Sequence, residues 1–171
     1  MKKLLIVLFC SLFTGLAVHS QTQGTLSVNV MTKGTGLEGR NYAPKNSMVI
    51  WVEDEAGNFV KTLLLNAQVR VRTLDNWEAS TSKAGSLFNA VDAVTGPTNN
   101  SHGIRNCAWD GTDAKGNLMP DGTYVLHMEL TDRDAAGLTS EFTFNKGPKK
   151  QALSPQDQTS FASIQISWTP D

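Results

Sequence analysis

The chain has 171 residues, 15 of them basic and 16 acidic, with 40% apolar and 18% charged residues. That length suits one domain with a real core, since about 150 residues bury roughly two-thirds of their unfolded surface. The balanced charge, with no basic patch or arginine-rich arm, argues against nucleic acid as a partner.

Residues 1–20 read as a secretory signal peptide: a basic start at Lys2 and Lys3, an apolar run over 4–18, then the small Ser20. The run is short and broken by Ser11, Thr14 and Gly15, so it does not make a membrane span, and Cys10 lies too deep in it for a lipoprotein. Cleavage after Ser20 leaves residues 21–171 as a single domain. Its one cysteine, Cys107, rules out an internal disulfide, so burial and backbone pairing must hold the domain together. There is no basic amphipathic helix to hold the mature chain on a membrane.

Leu26, Val28 and Val30 alternate with polar neighbours and predict a first strand over 25–31, followed by a Gly-rich loop over 33–41. Apolar runs at 48–52 and 59–65, separated by an acidic Gly-Asn turn, predict a hairpin. The three acids of that turn lack the alternating spacing of a calcium loop and read as solvated. Over 68–82, Val69 and Val71 fit a strand, whereas Val71, Leu74 and Trp77 recur at helical spacing; the second pattern favours a short helix that packs Trp77 on the sheet. Residues 91–103 are dense in Gly, Pro, Asn and Ser and read as the longest loop.

The most specific stretch is 106–130. Cys107 and Trp109 share one face of a strand. Asp110, Gly111, Asp113, Gly116 and Gly122 supply three successive turns, and Tyr124, Leu126, Met128 and Leu130 then form an apolar face opposite His127 and Glu129. Beyond it come a turn at 134–137, a strand at 141–144, a mobile polar link over 146–158 and a closing strand at 163–168. Short strands at this spacing predict an all-β, antiparallel sandwich with one short helix. The four tryptophans each fall in or beside a predicted element and read as packing residues.

The string W-D-G-T-D-A-K-G-N-L-M-P-D-G-T-Y, from Trp109 to Tyr124, resembles the Ig-like module of bacterial flagellar hook-capping proteins. Together with Tyr42-Ala-Pro-Lys45, Trp51, Phe59, Trp77 and Asp92-Ala-Val-Thr-Gly-Pro-Thr98, in that order, it resembles a family of periplasmic proteins of unknown function often labelled flagellin biosynthesis protein FlgD. The resemblance implies an Ig-like sandwich in which Trp109, Asp110, Gly111, Asp113, Gly116, Gly122 and Tyr124 are structural. Hook-capping proteins carry a further region and leave through the flagellar export machine, so the leader here speaks against a hook cap.

Candidate chemistry is sparse. The mature chain has two histidines: His127, on the polar side of a strand, reads as a surface residue, and His102 with Cys107 would make only half a zinc site. Cys107 itself reads as a small buried hydrophobe. No nucleophile elbow, phosphate loop or H-E-x-x-H motif is present. The expectation is therefore a non-enzymatic exported domain, without cofactor, that binds an envelope protein or ligand. One alternative comes from Asp92-Ala-Val-Thr-Gly-Pro-Thr98, which resembles the target of bacterial FAD:protein FMN transferases. By that resemblance Asp92, Thr95, Gly96 and Thr98 occupy motif positions, with Thr98 as the attachment point for a covalent FMN and the domain as an electron carrier. Pro97 stands where such targets usually carry alanine. The same residues also read as an Asx and Pro-Gly turn.

Overall fold

The computed structural model describes residues 20–36 and 42–171; the predicted leader, apart from Ser20, and part of the first loop lie outside the described residues. Among the described residues, nine strands, β1 (Gly24–Thr32), β2 (Ser47–Asp54), β3 (Phe59–Asn66), β4 (Val94–Gly96), β5 (Ile104–Trp109), β6 (Gly122–Thr131), β7 (Leu138–Lys146), β8 (Gln151–Leu153) and β9 (Phe161–Pro170), form two sheets. Their orders are β5-β1-β9-β8 and β4-β3-β2-β6-β7. One helix, α1 (Asp75–Lys83), follows a single 3-10 turn at Val71–Thr73. The described residues form an all-β sandwich carrying one helix.

The core lies between the sheets. Leu26, Val28, Val30, Trp109, Ile166 and Trp168 from one side meet Met48, Ile50, Tyr124, Leu126 and Phe144 from the other. All four tryptophans are fully buried. A second cluster, Val49, Trp51, Ala67, Leu74 and Trp77, lies on the outer face of the five-stranded sheet under α1. Strand β2 is thus apolar on both faces, the pattern of a strand covered on both sides.

Four expectations need correction. The five-stranded sheet is mixed, because β4, inside the predicted loop, pairs parallel to β3 with Leu64 opposite Val94. The segment predicted as a mobile link is built into the fold: Lys146 is buried at the end of β7, and Gln151–Leu153 pair with β9. Val69 is exposed and lies before the helix, which begins only at Asp75. Finally, His127 is buried, because α1 covers the half of the sheet that was expected to face water.

Candidate functional site

The stretch from Asp92 to Thr98 runs along the free edge of the five-stranded sheet, where β4 is the outermost strand. Asp92 is exposed, with a left-handed φ of 57°. It lines a cleft of about 390 Å³ together with Lys61 and Trp109. Lys61 is buried, donates to Thr112 Oγ1 at 3.1 Å and lies 3.6 Å from Asp110 Oδ1. Thr95, opposite Leu65, is exposed; Gly96, opposite Asn66, is tightly packed, since a Cβ would sit 3.0 Å from Asn66 Oδ1.

The hydroxyl of Thr98 is engaged twice by one residue. It accepts the N–H of Val69 at 3.0 Å and donates to the Val69 carbonyl at 2.9 Å. Asn99 pins the next position: its backbone exchanges two bonds with Asn46, and its side chain meets Asn46 and Asn66 at 3.0 Å each. Thr95, Gly96 and Thr98 therefore form a tied-down ridge along the sheet edge, and only Asp92 faces the cleft. Val69, which bonds Thr98, and Val91 and Val94, which flank Asp92 and Thr95 in the chain, are each more than half exposed, as is Leu87 earlier in the same segment.

A second group of functional side chains converges beneath α1, in a cleft of about 290 Å³ between helix and sheet. The His127 ring stacks on Trp51, 4.8 Å between centroids and 12° between planes. Its Nε2 lies 3.3 Å from Glu53 Oε2 and its Nδ1 3.5 Å from Glu141 Oε1. Glu53 Oε1 accepts from Trp51 Nε1 at 2.9 Å and from Ser80 Oγ at 2.5 Å. Burial raises the Glu53 carboxyl, but the bonds from His127, Ser80 and Trp51 outweigh it and bring the pKa down to about 2. A carboxylate that acidic is too weak a base to take the Ser80 proton near neutral pH. The Trp51 and Ser80 donors and the nearby His127 ring favour Glu53 as an anion at neutral pH.

Sequence reasoning missed this group and also Glu129, whose carboxylate is fully buried at the start of α1. The signal was present in β2. A strand apolar on both faces implies cover on both, so the polar side of its neighbour β6 had to be covered too. Cys107 is buried, and burial pushes its thiol up to about 12, far from a reactive thiolate. Among the described residues, no group of three His, Cys, Asp or Glu side chains is placed to hold a metal ion.

The turn residues before β6 have structural partners. Trp109 Nε1 donates to the Thr112 carbonyl at 2.7 Å, and Asp110 Oδ1 accepts the Thr112 N–H and hydroxyl at 3.0 and 2.6 Å. Gly111 and Gly116 take φ of 78° and 82°. Asp113 closes its turn on Asn117, Gly122 opens β6, and the Tyr124 hydroxyl donates to the Pro120 carbonyl at 2.6 Å.

An all-β sandwich, held by buried aromatics and by turns closed through Asp and Tyr side chains, defines the class of this protein. Residues 25–160 match the family model described as "Predicted periplasmic protein (DUF2271)", and the chain belongs to that family. No curated protein and no solved structure matches the chain. Among the described residues, no helix is long and apolar enough to cross a membrane.

Proposed function

We propose that the protein is a non-enzymatic, Ig-like binding or structural module of the bacterial cell envelope, delivered there by a cleaved signal peptide. The carrying observation is the distribution of exposed apolar side chains. Four of the six large ones among the described residues, Val69, Leu87, Val91 and Val94, lie in the segment from the end of β3 to β4. Exposed apolar patches of this kind mark partner sites, because covering them releases ordered water. The Ig-like part of the reading draws support from Tyr124, whose hydroxyl bonds the backbone four residues upstream at a strand start, as in the tyrosine corner of Ig sandwiches. The test is affinity capture from envelope extracts with the wild-type protein and with Val91→Asp/Val94→Asp. A specific partner kept by the former and lost by the latter is the expected result. Equal recovery from both, or turnover of a substrate with no partner, would overturn the reading.

A second reading, an electron carrier with FMN esterified to Thr98, is favoured by one observation: Thr98 lies on a rigid, surface-exposed edge beside Val69, an apolar side chain a flavin ring could cover. Attachment joins Thr98 Oγ1 to the FMN phosphate of FAD, with AMP leaving and the hydroxyl proton lost to solvent. The bond from Thr98 Oγ1 to the Val69 carbonyl must then break. The intact mass and visible spectrum of protein purified from its native host decide it. An unmodified mass without flavin absorption removes this reading and leaves the first untouched.

A further inference from the structure

The longest free edge among the described strands belongs to β7, which closes the five-stranded sheet at the end opposite β4. Its nine residues pair with β6 in one unbroken register, without a bulge, and none is proline. Natural edges are commonly blunted by brevity, bulges or proline, and β4 and β8 have only three residues each. The β7 edge has none of these protections. One hydrogen bond fixes the direction of its backbone groups: Asn145 donates its N–H to Gln151 Oε1 at 2.7 Å, away from β6. In an antiparallel pair every second residue then turns both its N–H and its carbonyl the same way. Thr139, Glu141 and Thr143 therefore turn three N–H groups and three carbonyls outward, at a pitch of about 6.8 Å. Among the described residues nothing bonds them. Beside this row a groove of about 400 Å³ opens, with Phe142 and Thr143 on one side and Leu153, Ser154 and Pro155 on the other.

We propose that the β7 edge binds an extended peptide segment of a partner protein, which adds a strand to the sheet. The outward row selects an extended backbone, whose own donors and acceptors repeat at the same pitch. The peptide side chain opposite Phe142 points into the groove, where Phe142, Leu153 and Pro155 favour an apolar residue. The side chain opposite Glu141 shares its exposed face, where a lysine or arginine makes an opposite-charge pair. A second copy of β7 fits this edge less well. Within the strand, two registers of a two-fold pairing engage all of Thr139, Glu141 and Thr143. One centres on Glu141 and sets the two Glu141 side chains directly opposite each other, which is destabilising. The other centres on Phe142 and needs the Asn145 N–H of both copies, which Gln151 already holds. The edge lies across the sheet from β4, so this site is separate from the residues that carry the reading above.

Amide hydrogen exchange of the wild-type protein, read by NMR, tests it with the peptide acetyl-Thr-Val-Lys-Val-Thr-amide. Laid antiparallel along β7, the peptide turns its Thr and Lys N–H groups to the edge and its Val side chains to the groove. Bonded amides exchange only when the bond opens. At about 1 mM peptide, half-occupancy or better slows exchange at Glu141 and Thr143 at least twofold. A peptide N-methylated at its Val residues, whose N–H groups face away, gives the same slowing. One N-methylated at its Thr and Lys residues gives none. No slowing at about 1 mM peptide, or equal slowing by the two methylated peptides, overturns the proposal. Slowing that appears without peptide as the protein is concentrated overturns it too, because a second copy is then the occupant. Only β7 is read, so any of these failures leaves the capture experiment around β4 to stand or fall by itself.

Discussion

Two turns of this molecule are built from the same side-chain pattern, Asp-x-x-Gly-Asn, at 54–58 and 113–117. In each, Asp Oδ1 accepts the N–H groups two and four residues on, at 2.8 to 3.0 Å, and Oδ2 accepts the Asn side-chain amide. In each, the Gly takes a left-handed φ, 72° at Gly57 and 82° at Gly116. The pattern makes the turns legible from sequence, because every bond is local. Gly111 differs: it is left-handed at 78°, and a Cβ there would also lie 2.9 Å from the buried Lys146 Cε. Gly116 has open space around it. Gly116→Ala should therefore cost about 1 kcal/mol from backbone strain alone, and Gly111→Ala about 1–3 kcal/mol more from overpacking. Urea midpoints measure both; equal costs would mean that Lys146 gives way freely. Cys107 supports a second prediction at this scale. With its thiol held up at about 12 by burial, it should not react with a disulfide reagent at pH 8 in the folded protein and should react fully once unfolded.

Helix α1 shows what one element needs from the rest. Its nine residues are too few to stand alone, and its N-cap, Leu74, offers no side-chain bond. Glu129 on β6 supplies the cap instead, accepting the Trp77 N–H at 3.0 Å and the Asn76 side chain at 3.0 Å. Trp77 anchors the middle by donating from Nε1 to Thr62 Oγ1 at 2.9 Å. Glu129→Ala should cost about 2–3 kcal/mol, because it leaves buried N–H groups unpaired, and it should speed hydrogen exchange at the Trp77 amide more than in the core strands. Unchanged protection there would show that the helix caps itself. Burial raises the Glu129 carboxyl against the N–H bonds that favour its anion, so its contribution to folding is greater in acid and declines as pH rises through its folded value. The spacing of Val71, Leu74 and Trp77 predicts a helix in this segment, and of the three only Trp77 lies within α1, with Val71 in the 3-10 turn and Leu74 at the N-cap. The anchor of α1 was not legible, because Glu129 lies 52 residues from Trp77 and nothing local links them. For the same reason His127 read as a surface residue, and β4, three residues beside a Pro, read as loop. Its strand character comes only from pairing with β3. The candidate motif at Asp92 to Thr98 was legible as a string, while the bonds that hold Thr98 to Val69 were not, since they join segments 29 residues apart.

The whole molecule is closed by an ion pair between the buried Lys146 and the half-buried Asp121. Asp121 Oδ1 accepts the Thr22 N–H at 2.7 Å and lies 3.2 Å from Lys146 Nζ, and Oδ2 accepts the Thr22 hydroxyl at 2.7 Å. Lys146 also donates to the Thr22 carbonyl at 2.6 Å and points at the Trp168 ring, 5.6 Å from its centroid. The chain entering β1, the turn before β6, the end of β7 and the core of β9 therefore meet at one point that spans both sheets. Burial raises the Asp121 carboxyl, but the bonds from Thr22, Ser20 and Lys146 outweigh it and hold the group well below the usual carboxylate range. A depressed acid adds stability above its unfolded value, about 3.9 for Asp, and that stability is lost as pH falls towards the folded one. Glu53, at about 2, acts in the same window. Thermal melts should thus fall steeply as pH drops from about 4 towards 2. Asp121→Asn should lose about 3–5 kcal/mol at neutral pH, because it strands the Lys146 charge in the core, and should flatten the acid limb. Replacing both partners, Asp121→Asn with Lys146→Met, removes the stranded charge and should recover part of the neutral loss while keeping the flattened limb. If Asp121→Asn instead melted like the wild type at neutral pH and kept the full acid limb, the pair would not be what closes the sandwich.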